Sequence, residues 1–408
     1  MGSIAYVTDL EGSWGKLASF CEGSPLVGLS DAGVLTVAAG ARLVFGGDAI
    51  DRGPFGRKIV ATLLDAKRTQ PDQVVLLAGN RDINKLRLVR ELRGFPPHRA
   101  PRELQTAGQG ALLAFIFSHT MGAKDALAHR RTELELEGRP LSDDDVAQSF
   151  LDDLEPDGLL TRYLSVCQLS YREGPTLFVH GGVTAENVGA DPWHGERAAD
   201  VDTWVDRLNT FYRDSMAAFV ERRMCADGTP GWSELVDYQA PVRGTRNNQG
   251  SVVYARTTND AGHPVLPARS VVDRLLADGI DRVVVGHTPV GDCPALLRDE
   301  RGFQLVMADN SYGRVDRAPR VHIVDDELYV YGETELDSGE RRIVEYELAR
   351  TERGPLGLVD SSSGALVKAK LREGDYLLYR AVGEYRVEQH AEPASALDQR
   401  DLLPPYPG

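Results

Sequence analysis

Five short apolar runs in this chain lead directly into a glycine-rich segment bearing Asp, Asn or His, and this recurrence constrains the fold more than any other feature. The runs are Ile4 to Val7, Leu43 to Phe45, Val74 to Leu77, Thr176 to Val179 and Val283 to Val285. They lead into Thr8-Asp9-Leu10-Glu11-Gly12, Gly47-Asp48-Ala49-Ile50-Asp51-Arg52-Gly53, Gly79-Asn80-Arg81-Asp82, His180-Gly181-Gly182 and Gly286-His287-Thr288-Pro289. Short apolar runs that stop at glycine and a polar residue read as buried strands with side chains delivered at their C-terminal ends. Open α/β sheets bind ligands along that edge. The chain is therefore expected to be α/β, with Asp9, Glu11, Asp48, Asn80, His180 and His287 gathered at one place.

Between the runs, alternation of strand and helix organises residues 1–95. Strands are expected at 3–9, near 34–37, at 42–46 and at 73–78, with helices at 55–68 and 83–93. Residues 100–165 interrupt that alternation and read as a helical insertion lying over the strand edge. Residues 196–224 have Trp204, Leu208, Phe211, Tyr212 and Phe219 near helical spacing, which marks a helix with a core-facing stripe. Loop is expected over 226–250, a strand over 251–256, a helix over 268–278, and strands over 281–286, 303–309, 320–324, 328–332 and 341–347. Residues 350–408 read as a small β-rich extension. The expected division is 1–349 as one unit containing the insertion, followed by 350–408.

The chemistry of the strand ends points to metal. Asp9 and Glu11 are separated by one residue, so both carboxylates can face the same way and suit a hard divalent cation. Asp48 can offer its two oxygens to two ions. Asn80 supplies a neutral amide oxygen, and His180 and His287 supply imidazole nitrogens. Across 408 residues the formal charge is −15, which argues against general nucleic-acid binding. Such a deficit leaves small phosphorylated substrates open, because bound cations override it locally. Cys21, Cys167, Cys225 and Cys293 are scattered without metal-type spacing, which suggests a reducing compartment. Ala111 to Phe117 is too short an apolar run to span a bilayer. A cytoplasmic protein is the expectation.

In this order the five segments resemble the calcineurin-like metallophosphoesterases, closest to the phosphoprotein-phosphatase-like branch and its bacterial relatives. The resemblance covers roughly residues 1–95 and 170–330. It implies a two-sheet β-sandwich flanked by helices, four layers in the order αββα. It also implies a first metal held by Asp9, the residue at 11 and Asp48, and a second held by Asp48, Asn80, His180 and His287. Two such ions about 3.5–4 Å apart can hold a bridging hydroxide and clamp phosphoryl oxygens. Arg52 resembles the family's phosphate-binding arginine, and Arg256 a second clamp. The expected ions are Mn²⁺ first, with Mg²⁺, Fe, Zn²⁺ or Ca²⁺ as alternatives. The expected partner is a phosphorylated small molecule or phosphoprotein.

Two positions depart from the family pattern. Glu11 and Arg81 stand where most members have histidine. The second of those histidines is the family's general acid, paired with the residue equivalent to Asp51. Arginine stays protonated at any working pH, so Arg81 cannot donate a proton to a leaving group. Glu11 adds one negative charge and Arg81 one positive charge, so the two changes can compensate. A replacement donor is sought in His119, within the insertion. Loss of the acid also leaves open a phosphoanhydride or other bond as substrate, or a non-catalytic metal- or phosphate-binding module.

Overall fold

Each of the five runs becomes a strand covered on both faces. The computed structural model describes residues 2–105, 107–193, 195–383 and 386–407. Ser3–Val7 pairs in parallel with Ala41–Phe45, which pairs in parallel with Val74–Leu76. On the other side of Ser3–Val7, the antiparallel strands Arg320–Val324, Glu327–Glu335 and Arg341–Leu348 complete a six-stranded sheet. In the second sheet, of five strands, Thr176–Val179, Arg282–Val285 and Gln304–Met307 run parallel. Ser170–Glu173 and Ala295–Arg298 close its edges antiparallel.

The period-two alternation of strands sorts the side chains into two interfaces. Ile4, Tyr6 and Val44 of the first sheet meet Phe178, Val284 and Val306 of the second in one buried cluster. The Tyr6 and Phe178 rings stand 5.7 Å apart. Their neighbours Val7, Leu43, Phe45, Leu177, Val283 and Leu305 join the apolar cluster that includes the helices. Gly56–Thr69 contributes Ile59 and Leu63, Val201–Val220 contributes Trp204 and Leu208, and Arg269–Ala277 contributes Val271 and Leu275. Each such side chain contributes about 1.5–3 kcal/mol when fully buried. The architecture is the expected four-layer αββα sandwich.

Residues 100–165 are helical, with Gln109–His119, Ala126–Leu136, Asp143–Asp153 and Leu159–Ser165. They are tied to the core through a borrowed cap. Gly56–Thr69 has no side-chain cap of its own. Instead the Glu133 carboxylate of the second insertion helix accepts from the backbone N–H of Arg57 at 2.8 Å and of Lys58 at 3.2 Å. Arg130 and Arg131 are taken up within the insertion, by Asp153 and Asp143 respectively. The C-terminal residues add a third sheet of five strands. It meets the main body through a bridge between Val344 and Leu371, and through Leu366 and Tyr379 in the main apolar cluster. Among the described residues no helix is long and apolar enough to cross a membrane.

Three local expectations need correction. Residues 251–256 form turn rather than strand. The Ser251 hydroxyl accepts from the N–H groups of Val253 and Tyr254 at 3.0 and 3.2 Å, a local turn that competes with ladder pairing. Within the expected loop 226–250 lies the helix Ser233–Tyr238, anchored by buried Leu235. The helix expected at 83–93 starts earlier, as Asn80–Ile83 running on through Asn84–Arg87 and Leu88–Glu91. Its start is set by Asp82, whose carboxylate accepts from Gly79 N–H at 3.1 Å and from Asp48 and Ala49 N–H at 2.9 Å.

Candidate metal centre

Six strands, three from each sheet, point their C-terminal ends at one cavity of about 270 Å³. Asp9 follows Ser3–Val7, Asp48 follows Ala41–Phe45 and Asn80 follows Val74–Leu76. His180 follows Thr176–Val179 and His287 follows Arg282–Val285. A sixth delivery was not anticipated. Asp309 follows Gln304–Met307, is 1% exposed and lines the same cavity. The signal was present in the sequence as an apolar run ending in an acid, but without the adjoining glycine.

The backbone is bent to make these deliveries. Asp9, Glu11, Asp48, Asp51 and His287 have φ of 52°, 45°, 60°, 109° and 61°. A left-handed conformation at a non-glycine residue costs about 1–3 kcal/mol and persists at sites where surrounding structure enforces it. Glycines supply the close approaches: a Cβ on Gly79 would overlap the Asp48 carboxylate, and one on Gly286 the Asp9 carboxylate.

One half of the site is a convergence of lone pairs. Asn80 Oδ1 lies 2.8 Å from His287 Nδ1 and 3.2 Å from His180 Nε2, and Asp48 Oδ1 lies 3.4 Å from His180 Nε2. His180 Nδ1 faces the Gly46 carbonyl at 2.7 Å, so its N–H donates there and directs Nε2 into the site. Four donor atoms spaced in this way fit one divalent cation, whose tetrahedral ligands at bond lengths of 2.0–2.2 Å stand roughly 3.3 Å apart. Among the described residues, Asp9, Asp48 and His180 form a buried acid–imidazole group with donor atoms within 4.8 Å of one another. The electrostatics express the same fit. Burial and the neighbouring Asp309 push the Asp9 carboxyl well up. Burial also raises Asp48, but His180 and Arg81 outweigh it and hold it below the usual range. Burial lowers His180, but Asp48, with Asp9 and the Gly46 carbonyl, more than reverses it and lifts the imidazole to about 10. Burial and the cations Arg256 and Arg81, with His180, hold His287 well below its ordinary value. A proton on His180 thus stands where the carboxylates call for a cation.

The other half is built from ion pairs. Arg81 Nε lies 2.6 Å from Glu11 Oε1 and 3.6 Å from Asp48 Oδ2. Arg52 Nη1 lies 3.3 Å from the other Glu11 oxygen, and its guanidinium stacks 3.7 Å above the Tyr312 ring. Both Glu11 oxygens therefore face arginines. Burial still lifts the Glu11 carboxyl to about 7, against the pull of Arg81. Asp51 takes a partner that sequence reasoning missed. Buried Lys85, one helical turn after Arg81, donates to Asp51 Oδ2 at 2.6 Å, to Asn84 Oδ1 at 2.8 Å and to the Arg81 carbonyl at 2.9 Å. Arg81 is farther from Asp51, at 3.9 Å.

The cavity wall includes Asp9, Glu11, Asp48, Asn80, Arg81, Arg256, His287, Tyr254 and Tyr312, with Met121 and Gly122 from the insertion. His180 lies fully buried beneath it. Arg52 and Asp51 are not among the lining residues. Nor is His119: it is exposed at the end of Gln109–His119, its ring stacked on Phe115 with centroids 4.5 Å apart. The structure thus brings the six expected metal ligands and Arg81 and Arg256 together, sets Arg52 against Glu11 and Tyr312 at the side of the cavity, and leaves His119 outside.

No family model and no curated protein matches this chain. Its structure is similar to solved phosphatases. A cold-active protein-tyrosine phosphatase of a psychrophile, Shewanella sp., shares 15% identity over 84% of this chain and 80% of its own, with a TM-score of 0.48. A protein serine/threonine phosphatase from Saccharomyces cerevisiae shares 14% over 86% and 81%, with a TM-score of 0.36. A metallophosphoesterase from Sphaerobacter thermophilus shares 13% over 85% and 88%, with a TM-score of 0.30.

Proposed function

We propose that this chain is a two-metal-dependent phosphoric ester hydrolase of the calcineurin-like metallophosphoesterase superfamily, in its phosphoprotein-phosphatase-like branch. One observation carries the reading: the donor atoms of Asp48, Asn80, His180 and His287 converge at 2.8–3.4 Å beside Asp9 and Asp309, a spacing that divalent cations fill. Asp48, Asn80, His180 and His287 would hold one ion. Asp9 and Asp48, with Glu11 or Asp309, would hold the other; Mn²⁺ suits this mixed oxygen and imidazole set. When bound, the ions supply Lewis acidity to the phosphoryl oxygens and a water activated for in-line attack.

The chain's own residues do the rest. Arg81 and Arg256, on the cavity wall, orient phosphoryl oxygens through their planar forks. Arg52 supports them by holding Glu11 and Tyr312. In the reaction a bond forms between phosphorus and the water oxygen and the phosphorus–oxygen bond to the leaving group breaks. Arg81 keeps its proton, so the leaving oxygen is protonated from solvent. This arrangement favours leaving groups that need little protonation, aryl esters and phosphoanhydrides above alkyl esters. Residues 1–349 form the catalytic unit and 350–408 an extension of it, in a protein of the cytoplasm acting on a phosphorylated small molecule or phosphoprotein.

The test is hydrolysis of an activated aryl phosphate, an alkyl phosphate and an anhydride with Mn²⁺, Mg²⁺, Zn²⁺ or chelator, beside Asp48→Asn. Turnover that requires metal, disappears in the variant and declines steeply with leaving-group basicity is the expected result. Stoichiometric metal without turnover of any of the three would transfer the site to a binding role.

A further inference from the structure

A second cavity, of about 340 Å³, opens beside the metal centre and shares Arg256 and Pro289 with it. Among the described residues its walls carry three arginines, Arg246, Arg256 and Arg386, against one carboxylate, Asp260, with Tyr379 and Val387 as an apolar face. In a chain of net charge −15 such a concentration of guanidinium is contrary to the overall balance. Among the described residues no carboxylate lies within ion-pair distance of Arg246 or Arg386, whereas Arg52, Arg81, Arg130 and Arg314 all have acidic partners.

The cavity is built rather than left over between units. Its outer wall belongs to the C-terminal sheet, through Tyr379 on Tyr376–Ala381 and Val387 on Val387–Glu392. That sheet is fastened to the segment that follows His287. Buried Lys368 donates to the Val290 carbonyl, and its ammonium lies 4.7 Å from the Tyr379 ring centroid. Buried Gln389 donates to Asp292 at 3.0 Å and to Thr334 at 3.1 Å. Asp292 in turn accepts from Val315 and Glu335 N–H, each at 2.9 Å. Buried hydrogen bonds joined in a network of this kind hold the elements they connect in one geometry. The wall of the second cavity and the His287 turn are therefore set relative to one another.

We infer that this second cavity is a subsite for a second anionic group on the substrate. The natural ligand would be a small molecule carrying two phosphoryl groups joined by a short organic spacer. One group would sit at the metal centre. The spacer would cross between Arg256 and Pro289 along Tyr379 and Val387, and the other group would meet the forks of Arg246 and Arg386. Guanidinium recognises phosphate through paired, charge-assisted hydrogen bonds, and the limited volume favours a small molecule over an extended polymer. The inference extends the phosphohydrolase reading to a substrate class and rests on it for the role of the first group.

Calorimetric titration of the full chain in Mn²⁺ buffer tests it with three probes: inorganic phosphate, hexyl monophosphate and a hexane-bridged bisphosphate. The bisphosphate is expected to bind at least about tenfold more tightly than the monophosphate. In the double variant Arg246→Gln/Arg386→Gln, whose positions are exposed, that ratio should collapse toward one. A ratio near one in the unaltered protein, or one that survives in the double variant, overturns the subsite. Tighter binding of an acidic phosphopeptide than of the bisphosphate overturns the small-molecule assignment. The two readings fail separately. Aryl phosphate turnover with a ratio of one removes only the subsite, whereas a high ratio without turnover of any ester or anhydride removes only the catalysis.

Discussion

The two halves of the metal centre are delivered by the same device and stabilised by opposite means. Around Asp48, Asn80, His180 and His287, neutral and anionic donors face each other with their lone pairs converging. Around Glu11, the carboxylate oxygens are already matched by Arg81 and Arg52. The first half offers convergent donors to a cation, and the second carries its own counter-charges. Glu11 and Arg81, the two positions that depart from the pattern the sequence resembles, both fall in the second half and contact each other at 2.6 Å. The two charges thus face one another directly, while the first half holds the convergent donor set.

That contrast breaks most severely at Asp48, which touches both halves through His180 and Arg81. Asp48→Asn removes the charge and leaves the shape. Turnover of aryl phosphate should fall by at least about a thousandfold, the order of effect seen when a central electrostatic group is lost from an active site. Metal content by plasma emission should fall with it. Retention of full metal and activity would mean that the two halves do not share this carboxylate.

Next in size is a pH effect specific to the metal-dependent half. The folded metal-free protein holds His180 at about 10, above the ordinary imidazole value near 6.5. A raised pKa contributes stability that is fully present below about 6.5 and lost as pH rises through 10. Metal binding has the reverse slope, because the cation must displace that proton. Between pH 7 and 9 the apparent affinity for Mn²⁺ should therefore rise by about tenfold per pH unit. The thermal shift on adding metal should grow in parallel. A flat profile over that range would show that metal binding displaces no proton from His180.

Glu11 and Arg81 sharpen the comparison from the other side. If the pair is self-compensating, the double variant Glu11→Gln/Arg81→Gln should be less damaging than the sum of the two single effects. For two buried partners in direct contact the coupling should be about 1–3 kcal/mol in stability, read from denaturant midpoints. Independent, additive effects would dissolve the idea that the two departures arose as a linked exchange.

What could be read from the sequence, and what could not, follows the same division. Asp9, Asp48, Asn80, His180 and His287 were legible because strand burial, glycine and a polar residue coincide in three or four consecutive positions. Asp309 was not, since its apolar run ends without a glycine and resembles any strand end. The sandwich was legible from the parallel runs, whose β-branched residues are buried on both faces. The Lys85–Asp51 pair was hidden because it joins residues 34 apart in sequence. Only the helix start imposed by Asp82 brings Lys85 around to Asp51. The turn at 251–256 was misread because Val252, Val253 and Ala255 look like a strand. Their burial comes instead from packing beneath the site, where the Val252 carbonyl accepts from Gly181 N–H at 2.7 Å.

The smallest expected effect concerns the residue chosen to replace the missing acid. His119 was attractive in the sequence because the insertion was expected to lie over the strand edge, and Met121 and Gly122 do reach the cavity. Two residues earlier, however, the helix turns the imidazole outward. Its Nδ1 lies 3.2 Å from the Phe115 carbonyl and its ring stacks on Phe115. A general acid must come within hydrogen-bond reach of the leaving oxygen, and an exposed ring held against its own helix does not. His119→Ala should change kcat for an alkyl phosphate by less than about twofold, where loss of a working acid would cost about 10²–10⁴. A large loss confined to alkyl esters and absent from aryl esters would show instead that the insertion closes over the substrate and brings His119 with it. Protonation of the leaving group would then belong to the insertion rather than to solvent, and the unequal halves of the centre would be completed by a third element.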